Sequence, residues 1–265
     1  MASFVPDFNS FSKIGLDQLQ LETFINEVDF HPELASTQTR ASQLCQQRTH
    51  AAPTLVLAER QTQGRGRGSN QWWAQPGCLT FSLIVETADF ERPENLSLIS
   101  LSTGWAIADL LEDYAPTGIV QLKWPNDVYM GGRKIAGILT EMPSADRVIV
   151  GIGLNVNNSF YSAPDQFKQR ATSLYDEVGD EYPLSTILID LLKQVETTWE
   201  QLAQENLTFI TDWPRRCLLT GRTITHEAGG NHTTGLCQGI DQTGALLLQT
   251  ERGSERMIGG SIIAF

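Results

Sequence analysis

Apolar and polar positions divide this chain into a long front part of mixed periodicity and a tail of short runs. Thr54-Leu-Val-Leu-Ala-Glu59 is a compact apolar run and predicts a buried strand. From Cys78 to Glu86 the apolar residues alternate, with Leu79, Phe81, Leu83 and Val85 on one face, which predicts a half-buried strand. Asn95 to Tyr114 carries Trp105, Ile107, Leu110 and Leu111 at helical spacing. Val120–Trp124 reads as a strand, and Asp127–Gly137 as a hairpin turned at Gly131-Gly132. Lys134–Met142 and Val148–Val156 predict two further strands. The longest helical segment is Leu184–Glu205, with Ile187, Leu191, Val195 and Leu202 on one stripe. Ser36 or Thr37 is placed to cap a helix ending near Gln47, and residues 1–24 form an irregular or helical lead-in.

After Asp212-Trp213-Pro214 the pattern changes. Residues 215–265 hold short strands and many glycines, and Gly239 to Leu248 reads as strand, turn and strand. The tail predicts a small β-barrel-like module. The fold class is α+β around a largely antiparallel sheet, with domains at 1–214 and 215–265.

Composition narrows the classes of function. The chain has 265 residues, enough for a sizeable core, and no apolar run long enough to span a bilayer. Its N-terminus lacks the basic-then-apolar pattern of a secretory signal, so the expected location is cytoplasmic, with no membrane partner. Cys45, Cys78, Cys217 and Cys237 are scattered and the histidines have no metal spacing, which argues against disulfides and structural zinc. A net charge of −12 argues against broad nucleic-acid binding but allows a local basic pocket. Against that acidic background, residues 59–72 form a glycine-rich loop carrying Arg60, Arg65 and Arg67. Glycines such as Gly64 and Gly66 can take φ > 0 and turn their amides toward one anion, and arginines add planar cationic donors. The loop reads as a clamp for a small anion; a solvated surface turn is the competing role.

Later segments favour the clamp. Lys123-Trp-Pro-Asn-Asp127 ends a strand, because Pro125 cannot continue the ladder, and leaves Asn126 and Asp127 at a strand edge. An Asp beside an arginine clamp suits Mg²⁺ on a nucleotide phosphate, although an Asx turn closing the hairpin is equally ordinary. Lys134, which begins the next strand, can meet an anionic group as a point charge or stand in solvent as a turn lysine. Gly151-Ile-Gly-Leu-Asn-Val-Asn157 has glycines inside a strand, a mark of close approach by a ligand or another chain. Neither it nor the arginine loop is a dinucleotide or Walker fingerprint.

The order Ser36-Thr37, Gln61-x-x-Gly-Arg-Gly-Arg, Lys-Trp-Pro-Asn-Asp, Arg-Lys-Ile-Ala-Gly-Ile-Leu-x-Glu and Gly-Ile-Gly-Leu-Asn-Val-Asn closely resembles biotin–protein ligases over residues 30–160. More loosely, the tail is similar to that family's SH3-like C-terminal domain. The resemblance implies a catalytic domain related to class II aminoacyl-tRNA synthetases. It also implies the family's reaction: biotin and ATP give biotinyl-5′-AMP, and biotin then passes to one lysine of a biotin carboxyl carrier protein, typically of acetyl-CoA carboxylase. By resemblance, Ser36, Thr37, Gln38 and Gln61 border the ureido end of biotin. Loop residues Gly64, Arg65, Gly66 and Arg67, with Lys134 and Gly137, face its carboxylate and the phosphate. Trp72 closes the adenine side, while Lys123, Asn126, Asp127 and Asn155 belong to the ATP end, with Asp127 toward Mg²⁺. Lys134 and Arg67 carry the catalytic burden. Joining a carboxylate to a triphosphate requires fixed positive charge, and Arg65, Arg67 and Lys134 are the cations available.

Two positions depart from the family pattern. Gln38 stands where a shorter Asn is usual, and Gly-Ser-Asn-Gln follows Arg67 instead of a second basic patch. The segment before Ser36 is too short for the helix-turn-helix domain that some members carry, so no DNA binding is expected. A homodimer is left open. A lipoate ligase or octanoyltransferase on a related fold is the nearest alternative; a non-catalytic biotin or nucleotide sensor and an RNA-binding segment are others.

Overall fold

The computed structural model describes residues 8–47, 50–90, 97–116, 119–161 and 163–265. Residues 1–7 of the lead-in, and Asn95 and Leu96 at the predicted start of a helix, lie outside them. The lead-in contains α1 (Lys13–Glu22), whose first turn is capped by the Ser12 hydroxyl accepting from the Gly15 amide.

The front part is built on a seven-stranded sheet. Its strands are β1 (Glu27–Leu34), β2 (Thr54–Gln61), β3 (Cys78–Glu86), β4 (Val120–Lys123), β5 (Asp127–Met130), β6 (Arg133–Ser144) and β7 (Arg147–Asn155). They lie in the order β1-β2-β3-β7-β6-β5-β4. β1 and β2 are parallel, joined through α2 (Thr37–Gln47), and every other pairing is antiparallel. The largely antiparallel reading therefore holds.

β3 is not half-buried: every residue from Cys78 to Val85 is inside. Leu79, Phe81, Leu83 and Val85 face the main core. The opposite face is covered by α2, whose Ala41 and Leu44 pack on Val56, Ile84 and Ile149. The polar members of the alternation, Thr80 and Ser82, are buried and hydrogen-bonded, Thr80 to the Ala58 carbonyl at 3.1 Å. The alternation thus marks two different buried faces. α3 (Ile99–Tyr114) and α6 (Leu184–Ala203) pack together on the main-core side, with Ile187, Leu191, Val195 and Leu202 buried as their spacing predicts. Gly131 and Gly132 turn the β5–β6 hairpin at φ of 57° and 78°. One residue later the register slips, Lys134 pairing with Tyr129 and Ala136 with Val128, so a bulge sits beside Lys134.

Three short helices complete the front part: the 3₁₀ turn Thr87–Phe90, α4 (Asp165–Lys168) and α5 (Leu174–Val178). α7 (Thr208–Arg216) contains Pro214. The tail then forms a second, antiparallel sheet from β8 (Thr223–Ala228), β9 (Asn231–Ile240), β10 (Leu246–Thr250), β11 (Gly253–Met257) and β12 (Ser261–Ala264), in the order β11-β10-β9-β8-β12. It docks beside β4: the Leu218 amide donates to the Leu122 carbonyl at 2.8 Å, and Trp124 Nε1 donates to the Gly244 carbonyl at 3.0 Å. Among the described residues no helix is long and apolar enough to cross a membrane.

Candidate functional site

A cavity of about 410 Å³ opens between the start of α2, the arginine loop, strands β4 to β7 and the start of β12. One end is neutral and hydrogen-bonding. Ser36, Thr37 and Gln38, at the entry to α2, are all buried. Gln61 at the end of β2 accepts through Oε1 from the Thr37 amide (2.7 Å) and hydroxyl (3.2 Å). The Ser82 hydroxyl lies 2.9 Å from Thr37 Oγ1 and 3.1 Å from Gln38 Oε1. The Gln38 amide donates to the Leu139 carbonyl and to Glu141, so its hydrogen bonds are internal. Ser36 differs from these neighbours, because its hydroxyl is buried against the cavity with no hydrogen-bond partner among the described residues. Burying such a group unpaired is costly, which points to an outside partner.

The floor is glycine. A Cβ on Gly151 would collide with Gln38 Oε1, and one on Gly153 with the Trp72 indole, while Gly137 faces Lys134 and Trp72. These strand glycines are thus approached by the chain's own side chains, which the cavity needs close to its floor.

The arginine loop has a reason for its glycines other than the predicted one. Within 64–67 no glycine takes a positive φ; only Gly68 does, at 63°. Gly64 is required because a Cβ would stand 2.5 Å from the Trp72 carbonyl, where the returning chain crosses. The Trp72 amide donates to the Gly64 carbonyl (3.0 Å) and the Gly66 amide to the Asn70 carbonyl (2.9 Å). The loop is therefore a small hairpin, and the Gly66 amide is already used within it.

The charged side chains sort into paired and unpaired. Arg65, beside Gln38, grips Glu141 through both terminal nitrogens, at 2.6 and 3.3 Å, so the hydrogen-bonding end carries a neutralised cation. Lys134 Nζ lies 2.5 Å from Asp127 Oδ1, with side chains 31% and 19% exposed, and 5.8 Å from the Trp72 ring centroid. Arg67 donates to the Gly260 carbonyl at 2.7 Å. Lys123 stands 3.5 Å from the Ile262 carbonyl and 4.6 Å from the Phe265 ring centroid. Burial holds the Lys123 ammonium below the ordinary lysine range, with Asp127 opposing that shift and Lys134 adding to it. Among the described residues, Arg67 and Lys123 have no carboxylate partner, and neither does Arg170, which also lines the cavity. Asn126 is structural on one side, donating through Nδ2 to the Ile138 carbonyl at 2.8 Å.

An adjoining recess of about 490 Å³ holds Trp72, Trp73, Lys134, Asn155, Phe160, Phe167 and Arg170 among its walls. Trp73 stacks on Phe167 (centroids 5.3 Å apart, planes 8° apart) and tilts against Phe160. Asn155 is buried here, donating to the Thr172 carbonyl at 3.0 Å, so the fold sets it in the recess and not in the main cavity. Trp73, Phe160, Phe167 and Arg170 were not legible as site residues; the Trp72-Trp73 pair was the one signal, and 160–170 is too irregular for periodicity to reach. No group of three or more His, Cys, Asp or Glu suited to a metal occurs among the described residues. Among the described residues Asp127 is the one carboxylate lining the main cavity. That donor set fits Mg²⁺ only as an ion carried by a nucleotide's phosphates.

Residues 31–157 match the family described as Biotin/lipoate A/B protein ligase, and residues 220–265 match the Biotin protein ligase C terminal domain. The chain is 32% identical over 252 residues to the bifunctional ligase/repressor BirA of Bacillus subtilis, covering 92% of this chain and 76% of that protein. It is 32% identical over 214 residues to the biotin–[acetyl-CoA-carboxylase] ligase of Mycobacterium tuberculosis, covering 79% and 78%. The solved biotin protein ligase of Aquifex aeolicus, in complex with biotin and ATP, superposes with a TM-score of 0.77 at 31% identity, over 91% of this chain and all of that one.

Proposed function

This chain belongs to the biotin protein ligase family and is an ATP-dependent biotin–protein ligase, and from that premise we propose that the cleft performs both of its half-reactions. In the first, a carboxylate oxygen of biotin attacks the α-phosphorus of ATP and pyrophosphate leaves, giving biotinyl-5′-AMP. In the second, a carrier lysine attacks the acyl carbon and AMP leaves. The single observation that carries this reading is the polarity of the cavity. One end is a hydrogen-bonding network of no net charge with the unpartnered Ser36 hydroxyl, suited to an uncharged ureido ring, and the rest of the lining brings Arg67, Lys123, Lys134 and Arg170 together.

Placed this way, Ser36, Thr37, Gln61 and the glycine floor border biotin. Lys134 and Arg67 stabilise charge between the carboxylate and the α-phosphate, where fixed cations in a partly dry site are worth most. The Lys134–Asp127 pair exchanges a partner on binding: phosphate takes the ammonium, and Asp127 turns toward the Mg²⁺ that enters with ATP and offsets phosphate charge. Lys123 and Arg170 grip the outer phosphates. Adenine enters the recess at Trp72 and Trp73. The partner is a biotin carboxyl carrier domain of acetyl-CoA carboxylase, and the reaction takes place in the cytoplasm. We also read residues 1–214 as a class II synthetase-like catalytic domain and 215–265 as an SH3-like domain.

The test is pyrophosphate release on mixing the protein with biotin and ATP, followed by transfer of labelled biotin to a carrier domain. Melting with ATP and biotin, lipoate or octanoate reads the acid: stabilisation by lipoate or octanoate alone would overturn the assignment.

A further inference from the structure

Arg67 has no carboxylate partner among the described residues, yet it is not loose. Its Nη2 reaches across to the second sheet and donates to the Gly260 carbonyl at 2.7 Å. Gly260 takes φ of 105°, where side chains are rarely found, and a Cβ there would run into His226 Nε2 and the Glu227 carbonyl. His226, on β8, is 4% exposed and lies outside the cleft walls. Its Nε2 is 2.6 Å from the Gly259 carbonyl. A carbonyl only accepts, so Nε2 carries the hydrogen. The imidazole also packs at 6.0 Å, tilted by 55°, on Trp124, which does line the cleft.

We propose that His226 is a positioning residue for Arg67. Its Nε2–H fixes Gly259, and the Gly259–Gly260 pair is thereby set in the one backbone arrangement that offers the Gly260 carbonyl to the guanidinium. The second sheet so holds the arginine loop over bound biotinyl-5′-AMP without itself touching the adenylate at His226. An arginine has many rotamers to lose, and a fixed acceptor removes much of that loss before substrate arrives. This rests on the reading that Arg67 faces the substrate anion, and the two are separable by experiment.

The full chain is loaded with radioactive biotin and ATP, and the lifetime of retained biotinyl-5′-AMP is measured for a double-mutant cycle, with melting temperatures for each variant. His226→Phe keeps a flat ring on Trp124 and loses the donor; we expect a lifetime shortened roughly three- to tenfold, the worth of one neutral hydrogen bond. His226→Gln keeps an N–H donor and loses the ring; it should recover most of the lifetime. Adding His226→Phe to Arg67→Gly should shorten the lifetime no further. A wild-type lifetime in His226→Phe, an effect fully additive with Arg67→Gly, or Phe outperforming Gln would each overturn the proposal. Should His226→Phe fail to fold, His226→Leu, which also removes the donor, carries the cycle: a shortened lifetime not additive with Arg67→Gly supports the role, and a wild-type or fully additive one ends it. Arg67→Gly alone retaining adenylate as wild type does would instead remove the underlying reading of Arg67.

Discussion

Ser36 and Lys134 give opposite signatures when removed. The Ser36 hydroxyl is buried without a hydrogen-bond partner among the described residues, so deleting it removes no hydrogen bond they make and relieves an unpaired polar group. Ser36→Ala should leave the melting temperature unchanged or slightly higher, while weakening biotin binding by roughly tenfold in calorimetry. A loss of stability without a loss of affinity would show a merely structural hydroxyl. Lys134→Ala strands Asp127, whose Oδ1 lies 2.5 Å from Nζ. The protein should still fold, because both side chains retain access to solvent, but adenylation should fall on the order of a hundredfold or more in pyrophosphate release. Wild-type release would leave Lys134 as a turn lysine. Residue types pointed to which side chains line the cleft better than to their partners. That Arg65 is spent on Glu141 depends on a loop meeting a strand 76 residues further along, which no local pattern records, whereas the Lys134–Asp127 pair lies within the predicted hairpin and was open to being read there.

At the scale of elements, what could be read was what repeats along the chain. α6 announced itself through a long apolar stripe, and the β5–β6 turn through two adjacent glycines. β1 was missed because Glu27–Leu34 mixes acids, His31 and Pro32 with few apolar residues. It is an edge strand, only partly buried, and its backbone pairing with β2 defines it more than any side-chain face does. The Trp73–Phe167 stack was invisible for a related reason, since it joins segments remote in sequence. The arginine loop was legible in position but not in its internal bonding. Its hairpin closes on Trp72 and its tip hangs on Gly260, so it is a strap anchored at both ends. Arg67→Gly cuts one anchor. The variant should form adenylate, release it early and label bystander lysines; protease should cut its loop even with biotin present, whereas biotin protects the wild type. Equal protection in both proteins, with no bystander labelling, would remove the loop's covering role.

The whole molecule is two sheets sharing one cleft. The second sheet supplies Ser261 and Ile262 to the wall and carbonyl acceptors to Trp124, Arg67 and Lys123. Deleting residues 218–265 leaves α7 whole. Far-ultraviolet dichroism should retain the helices of the front part, while transfer to the carrier falls at least tenfold and the melting temperature drops as Trp124 loses its partner. Wild-type transfer by the shortened protein would refute a catalytic share for the tail. The cations without a carboxylate among the described residues, Arg67, Lys123 and Arg170, line the cleft of a chain whose net charge is −12. A nucleotide polyanion arriving from solution therefore crosses a repulsive outer field before it feels an attractive inner one. The two have different ranges, and dissolved ions damp the longer first, since screening reaches about 10 Å at 0.1 M salt. Stopped-flow association of ATP should accelerate on the first additions of potassium chloride, pass through a maximum, and slow as the attraction of the cleft cations is screened in turn.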